Sequence, residues 1–352
     1  MQRIELPTVG ADARLDEVIQ WLATITAHDG SEWKEIAVAS ADASFRRYFR
    51  VTSNAGATAI VMDAPPPLED VRPFLNVSQL LDDGGVYVPR RFEIDEARGF
   101  LLLGDMGSTT YLSALTTAQP LDPQPLFADA ISTLVRLQQI DPARAKMPLG
   151  QYDAALLRRE INLFPEWYLD RHIGVPLSDD QKNALERVYA LLMASALGQP
   201  TVLVHRDYMP RNLMVTQERN PGVLDYQDAV VGPISYDVAS LMRDAFLSWE
   251  EPLVIDWAAR YWSQARKAGL PVREDFSEFY REMEWMGLQR HLKVLGIFAR
   301  INYRDGKPKY LADTPRFVQY VRHVASRYNA FAPLLHLFDQ IEGNQTKVGY
   351  TF

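Results

Sequence analysis

Val202-Leu203-Val204-His205-Arg206-Asp207-Tyr208-Met209-Pro210-Arg211-Asn212-Leu213-Met214-Val215 is two short apolar runs around a polar loop. The loop reads His-x-Asp-x-x-x-x-Asn. Eighteen residues after Asp207 comes Val223-Leu224-Asp225, an apolar strand ending in a carboxylate. Twelve further on, Asp237 stands in Gly232-Pro233-Ile234-Ser235-Tyr236-Asp237, at the start of a helical pattern. A His-x-Asp pair alone is weak evidence of anything. With Asn212, Asp225 and Asp237 at these spacings, coincidence becomes a poor account of it.

The chemistry these residues suit is phosphoryl transfer. A loop between two short strands can present Asp207 to an acceptor hydroxyl while Asn212 turns toward a metal ion. The strand ending at Asp225 brings a carboxylate to the same ion. Mg²⁺ takes hard oxygen ligands and keeps several waters, so one amide and one carboxylate suffice beside ATP phosphates.

Outward from the loop, the two halves of the chain differ. Leu15, Val18, Ile19, Leu22 and Ile25 recur at helical spacing after Asp12. Strands are expected over 35–40, 45–52 and 57–63, the last two joined by Ser53-Asn54-Ala55-Gly56. A helix over 70–81 stops at Gly84-Gly85, and a strand pair, 91–94 and 100–103, follows. Beyond Gly107 the pattern turns helical, over 125–140, 152–172, 179–197, 236–246, 252–268 and 274–300. The only clear strands there are 213–216 and 223–225. The expected fold is α+β, with an antiparallel-sheet lobe over 1–103 and a larger, mainly helical lobe over 104–352.

The chain has 352 residues, 47% of them hydrophobic, which is ample for a core and for about two domains. Lys and Arg number 37 against 45 Asp and Glu, and no basic run appears, so a nucleic-acid partner is not expected. With no cysteine, disulfides, thiolate chemistry and Cys-ligated zinc are excluded. The first residues lack the apolar stretch of a signal peptide, and no apolar run approaches the roughly 18 residues that cross a bilayer. A cytoplasmic protein without a membrane partner is expected; the oligomeric state stays open.

The layout resembles the aminoglycoside phosphotransferase and choline kinase superfamily, from about Ala37 to Arg300. Within it, four stretches resemble the anomeric kinases that phosphorylate N-acetylmuramate and N-acetylglucosamine in cell-wall recycling. These are 41–50 (Ala-Asp-Ala-Ser-Phe-Arg-Arg-Tyr-Phe-Arg), 60–66 (Ile-Val-Met-Asp-Ala-Pro-Pro), 224–229 (Leu-Asp-Tyr-Gln-Asp-Ala) and 300–307 (Arg-Ile-Asn-Tyr-Arg-Asp-Gly-Lys). The resemblance implies a two-lobed protein-kinase-like fold, ATP as co-substrate, Mg²⁺ as cofactor and a small amino sugar as acceptor. It makes Asp207 the catalytic base, Asn212 and Asp225 the metal ligands, His205 the brace of the loop and Asp237 its scaffold. Gly104 and Met106 would read adenine through the backbone, and the segment from Ser40 to Phe45, with Ser44, would cover the phosphates. Glu160, Arg290 and Arg304 are the candidate sugar contacts.

One departure stands out. Where kinase-like folds carry a third-strand Lys, this chain reads Ala59-Ile60-Val61-Met62, and no Lys occurs between Lys34 and Lys146. Arg46, Arg47 and Arg50 are the available cations, since a guanidinium holds phosphate oxygens in a fork. Two rival readings remain: a kinase for an aminoglycoside, choline or homoserine-like acceptor, and a non-enzymatic pseudokinase. The basic 300–309 stretch speaks against a cationic acceptor, and the intact Asp207, Asn212 and Asp225 speak against the pseudokinase.

Overall fold

A computed structural model describes residues 2–3, 12–40 and 45–347. The chain divides into two compact units, one of residues 1–110, 145–147 and 213–228, the other of 111–144, 148–212 and 229–352. The unit boundary thus falls at 110/111, against 103/104 from the sequence, and the 213–228 hairpin joins the first unit.

In the first unit the strands are β1 (Gln2–Arg3), β2 (Trp33–Ser40), β3 (Arg47–Ser53), β4 (Thr58–Asp63), β5 (Arg91–Asp95) and β6 (Phe100–Gly104). They form one sheet in the order β1-β2-β3-β4-β6-β5, antiparallel apart from the two-residue edge pairing of β1 with β2. Strand alternation sorts its side chains. Phe49, Val51, Ala59, Val61, Phe100 and Leu102 share the core with Leu15, Val18, Trp21 and Leu22 of helix α1 (Ala13–Leu22). Asp12 caps α1, accepting from the Leu15 amide at 3.0 Å. Helix α2 (Arg72–Asp83) follows β4, two residues later than expected.

The second unit begins with helices α3 (Tyr111–Thr116) and α4 (Pro123–Gln138), strand β7 (Gly150–Gln151) and helix α5 (Ala154–Ile161). The single helix expected over 152–172 is in fact α5 followed by a π-helix, Phe164–Ile173. Then come α6 (Asp179–Leu197), β8 (Thr201–Val204), the β9 (Leu213–Met214) and β10 (Gly222–Val223) hairpin of the first unit, and β11 (Val230–Pro233). The expectation of a single strand pair here is corrected: β7, β11 and β8 form a further sheet, with Val204 opposite Val230. These strands are too short for alternation to show. Helices α7 (Tyr236–Met242), α8 (Glu251–Lys267), α9 (Phe276–Asp305), α10 (Thr314–Arg327) and α11 (Ala332–Lys347) complete the chain. Leu288, Leu292, Leu295 and Phe298 of α9 lie in the core with Phe164 and Phe317. Among the described residues no helix is long and apolar enough to cross a membrane.

Candidate active site

In the second unit the loop of residues 205–212 connects β8 to a short 3₁₀ turn, Pro210–Asn212. Asp237, on α7 and fully buried, accepts from the His205 amide at 2.7 Å and the Arg206 amide at 3.0 Å. Burial pushes its carboxyl up to about 7, against the pull of those two N–H groups. Arg206 adopts a left-handed φ of 75°, a conformation that a non-glycine residue keeps only where its surroundings impose it. The Asp207 amide donates to His205 Nδ1 at 3.3 Å, and Asn212 Nδ2 donates to the Asp207 carbonyl at 2.9 Å. His205 and Asn212 are buried, whereas the Asp207 side chain is 38% exposed. The loop is therefore fixed by its backbone while the carboxylate stays accessible.

Glu160, expected as a sugar contact, is buried under this loop. It accepts from Arg206 Nη2 at 2.7 Å, from Lys293 Nζ at 2.9 Å and from the Tyr152 hydroxyl. Lys293 also donates to the Tyr236 hydroxyl at 3.0 Å. Burial alone would raise the Glu160 carboxyl, but Lys293 and Arg206 outweigh it and hold the group at about 2. Glu160→Ala would leave two cations buried without their counter-ion. The expected cost is about 3–5 kcal/mol of unfolding free energy at neutral pH, measured by urea titration. Because the folded pKa lies below the unfolded one, this stability is present above about pH 4.5 and fades as pH falls toward 2. The gap between wild type and variant should accordingly narrow at pH 3. Arg290, buried on α9, places Nη2 3.7 Å from Asp207 Oδ1, and Arg304, at the end of that helix, pairs with Asp305.

In the first unit the three arginines separate. Arg47 shares the α1 side of the sheet with Asp63, and its guanidinium is held by Asp63 and Asp12. Arg46 pairs with Glu69 at 3.1 Å, both side chains 15% exposed. Arg50, on the opposite face of β3, makes a two-bond contact to Asp105 at 2.7 and 2.9 Å and donates to the Gly107 carbonyl. Against the upward push of burial, Arg50 and the Gly107 amide hold the Asp105 carboxyl below its usual range. Met62 is buried on β4, opposite Tyr48 and Leu101. Phe45 is exposed, and Ser44 lies outside the described residues with the rest of 41–44.

Gly104 closes β6, its amide donating to the Arg90 carbonyl at 2.7 Å. Met106 packs so close to Gly222 that a Cβ there would meet its sulfur at 2.6 Å, and a larger residue at the start of β10 would require the Met106 side chain to move. The hairpin is further held by the Phe74–Tyr226 ring contact at 5.0 Å and by Val223 N–H on the Tyr87 carbonyl. Two residues beyond Val223, Asp225 has a left-handed φ of 63°, and its Oδ1 accepts from Gln227 Nε2 at 2.8 Å. Sequence reasoning missed Lys293, Tyr152 and Asp105; Lys293 and Asp105 lie far along the chain from Glu160 and Arg50, and none of the three carries a local pattern.

Residues 35–276 match the pattern described as the phosphotransferase enzyme family. A protein of Pseudomonas putida named N-acetylmuramate/N-acetylglucosamine kinase is 49% identical over 340 residues, 97% of each chain. A Pseudomonas aeruginosa protein of the same name is 51% identical over 300 residues, 85% of this chain and 86% of that one. The crystal structure of aminoglycoside phosphotransferase APH(2'')-Ib with ADP bound superposes with a TM-score of 0.59. It covers 89% of this chain and 99% of that one at 14% identity, a likeness of fold. The sheet lobe and the helical lobe have the fold of the aminoglycoside phosphotransferases, and the chain belongs to the phosphotransferase enzyme family.

Proposed function

We propose that this enzyme transfers the γ-phosphoryl group of ATP to the anomeric C1 hydroxyl of N-acetylmuramate and N-acetylglucosamine, giving the α-1-phosphates in the reuse of cell-wall sugars. The observation that carries the reading is the 49% identity over 97% of both chains to the Pseudomonas putida kinase of that name. Helix α9 adds weight. Beyond Arg290 and Lys293 it carries Arg300 and Arg304, and this basic character supports an acceptor that is not cationic. A need for ATP supports a cytoplasmic location.

Asp207 Oδ accepts the proton of the C1 hydroxyl as the new O–P bond forms and the bond to the ADP oxygen breaks. The anomeric hydroxyl is more acidic than an ordinary alcohol, so a carboxylate is an adequate base. Mg²⁺, when bound, would neutralise charge on the phosphates. Asn212 and Asp225 would hold it, and the donor set fits, because an amide and a carboxylate oxygen are both hard ligands. Among the described residues no cluster of three or more His, Cys, Asp or Glu offers a metal cage, so the ion's other ligands would be waters and phosphate oxygens. Arg46 and Arg50, on the side of β3 away from α1, are the cations offered in place of the third-strand Lys, and Arg47 serves as a tether of α1. Gly104 and Met106 would meet the adenine.

The test is ATP consumption with Mg²⁺ against N-acetylmuramate, N-acetylglucosamine, glucose, kanamycin and choline. Turnover confined to the two N-acetyl sugars, with an acid-labile phosphate on the product, is expected. Turnover of kanamycin or choline instead would discard the substrate and keep the chemistry. ATP binding without any turnover would make the protein a pseudokinase.

A further inference from the structure

The family pattern ends at residue 276, where α9 begins, yet α9 reaches the catalytic loop at two points. Its residues 290 and 293 lie about one turn apart on one face. Lys293 reaches the loop indirectly, through Glu160 to Arg206. Arg290 approaches Asp207 itself, Nη2 to Oδ1 at 3.7 Å, with its side chain only 4% exposed.

The buried guanidinium of Arg290 is poorly satisfied. Its Nε and Nη1 are shut away from solvent without a hydrogen-bond partner, and among the described residues its one ion pair is with Asp207. Burying such a group without hydrogen bonds is costly, and an unsatisfied buried group of this kind calls for an explanation. Arg206, the loop's own cation, directs Nη2 to Glu160 and makes no ion pair with Asp207 within 4 Å among the described residues. A separation of 3.7 Å is too long for a hydrogen bond but short for a charge interaction. At that distance the cation orients and stabilises the carboxylate without occupying the lone pairs that must receive the acceptor's proton.

We propose that Arg290 is a positioning residue for Asp207, so that α9 belongs to the catalytic machinery. The proposal rests on the reading of Asp207 as the base. In the full-length enzyme, with MgATP and whichever of the two sugars the wild type turns over, Arg290→Met is expected to lower kcat about 100-fold. KM for ATP and for the sugar should stay within about threefold of wild type, since a positioning group leaves ground-state binding alone. Arg290→Lys, which keeps the charge and loses the fork, should recover about tenfold of that loss. Added guanidinium should raise the activity of Arg290→Ala while leaving the wild type unaffected.

A wild-type kcat in Arg290→Met, or a loss carried by the sugar KM as expected for a direct sugar contact, would overturn the proposal. Should the Met and Ala variants fail to fold by thermal melting, Arg290→Lys decides: a folded variant with undiminished kcat counts against the positioning role. Asp207→Asn assayed in parallel separates the two readings. If it keeps turnover, the base assignment itself fails; if it is inactive while Arg290→Met is normal, only the role of Arg290 fails.

Discussion

Asp207→Asn or Asp207→Ala is expected to lower kcat by about three powers of ten or more, with the fold intact. On the proposed assignment the loss is large because one carboxylate would both orient the acceptor oxygen and take its proton. The fold survives because little of the loop's conformation depends on that side chain. Asp237 holds the His205 and Arg206 amides, Asn212 holds the Asp207 carbonyl, and Glu160 holds Arg206. The 38% exposed carboxylate can be replaced without opening a cavity. ATP affinity, measured by calorimetry, should change little, and both variants should remain folded while melting somewhat earlier than wild type, because the buried Arg290 loses its ion-pair partner. A variant that keeps near wild-type turnover with the same sugar would end the assignment of Asp207 as the base.

The sheet lobe was legible because its strands alternate. Phe49 and Val51 face the core while Arg50 faces away, and the turn at residues 53–56 pins the register. Strand β11 and its pairing with β8 escaped notice because a four-residue strand shows no period, and the pairing spans a gap that no local pattern bridges. The loop from His205 to Asn212 stands out in the sequence because its polar residues are nearly consecutive, and the structure brings them together with Asp237. Glu160 does not stand out, since its partners Arg206 and Lys293 lie 46 and 133 residues away. Only the folded chain shows that this carboxylate is held by Arg206, Lys293 and Tyr152 beneath the loop. The three arginines of residues 46–50 needed the structure for a related reason. Alternation assigns them to faces, but only Asp63, Glu69 and Asp105 show which guanidinium is tied to α1 and which lie on the other side.

Asp225→Asn is expected to cost about 100-fold or more in kcat and to raise the Mg²⁺ concentration needed for half-maximal rate. The choice of asparagine matters because Asp225 sits at a φ of 63°. Asn enters the left-handed region more readily than any other residue except glycine, so this substitution removes the charge and leaves the backbone as it was. Alanine would remove the charge and add about 1–2 kcal/mol of backbone strain, mixing a stability defect into the kinetics. An amide oxygen is a weaker partner for a divalent cation than a carboxylate, so part of the lost rate should return as Mg²⁺ is raised. Asp225→Ala should respond less to added Mg²⁺, having no oxygen left at that position, and should also melt earlier. Rates measured across a Mg²⁺ series for both variants test this directly. An Asp225→Asn enzyme with the Mg²⁺ dependence of wild type would show that this carboxylate does not hold the ion.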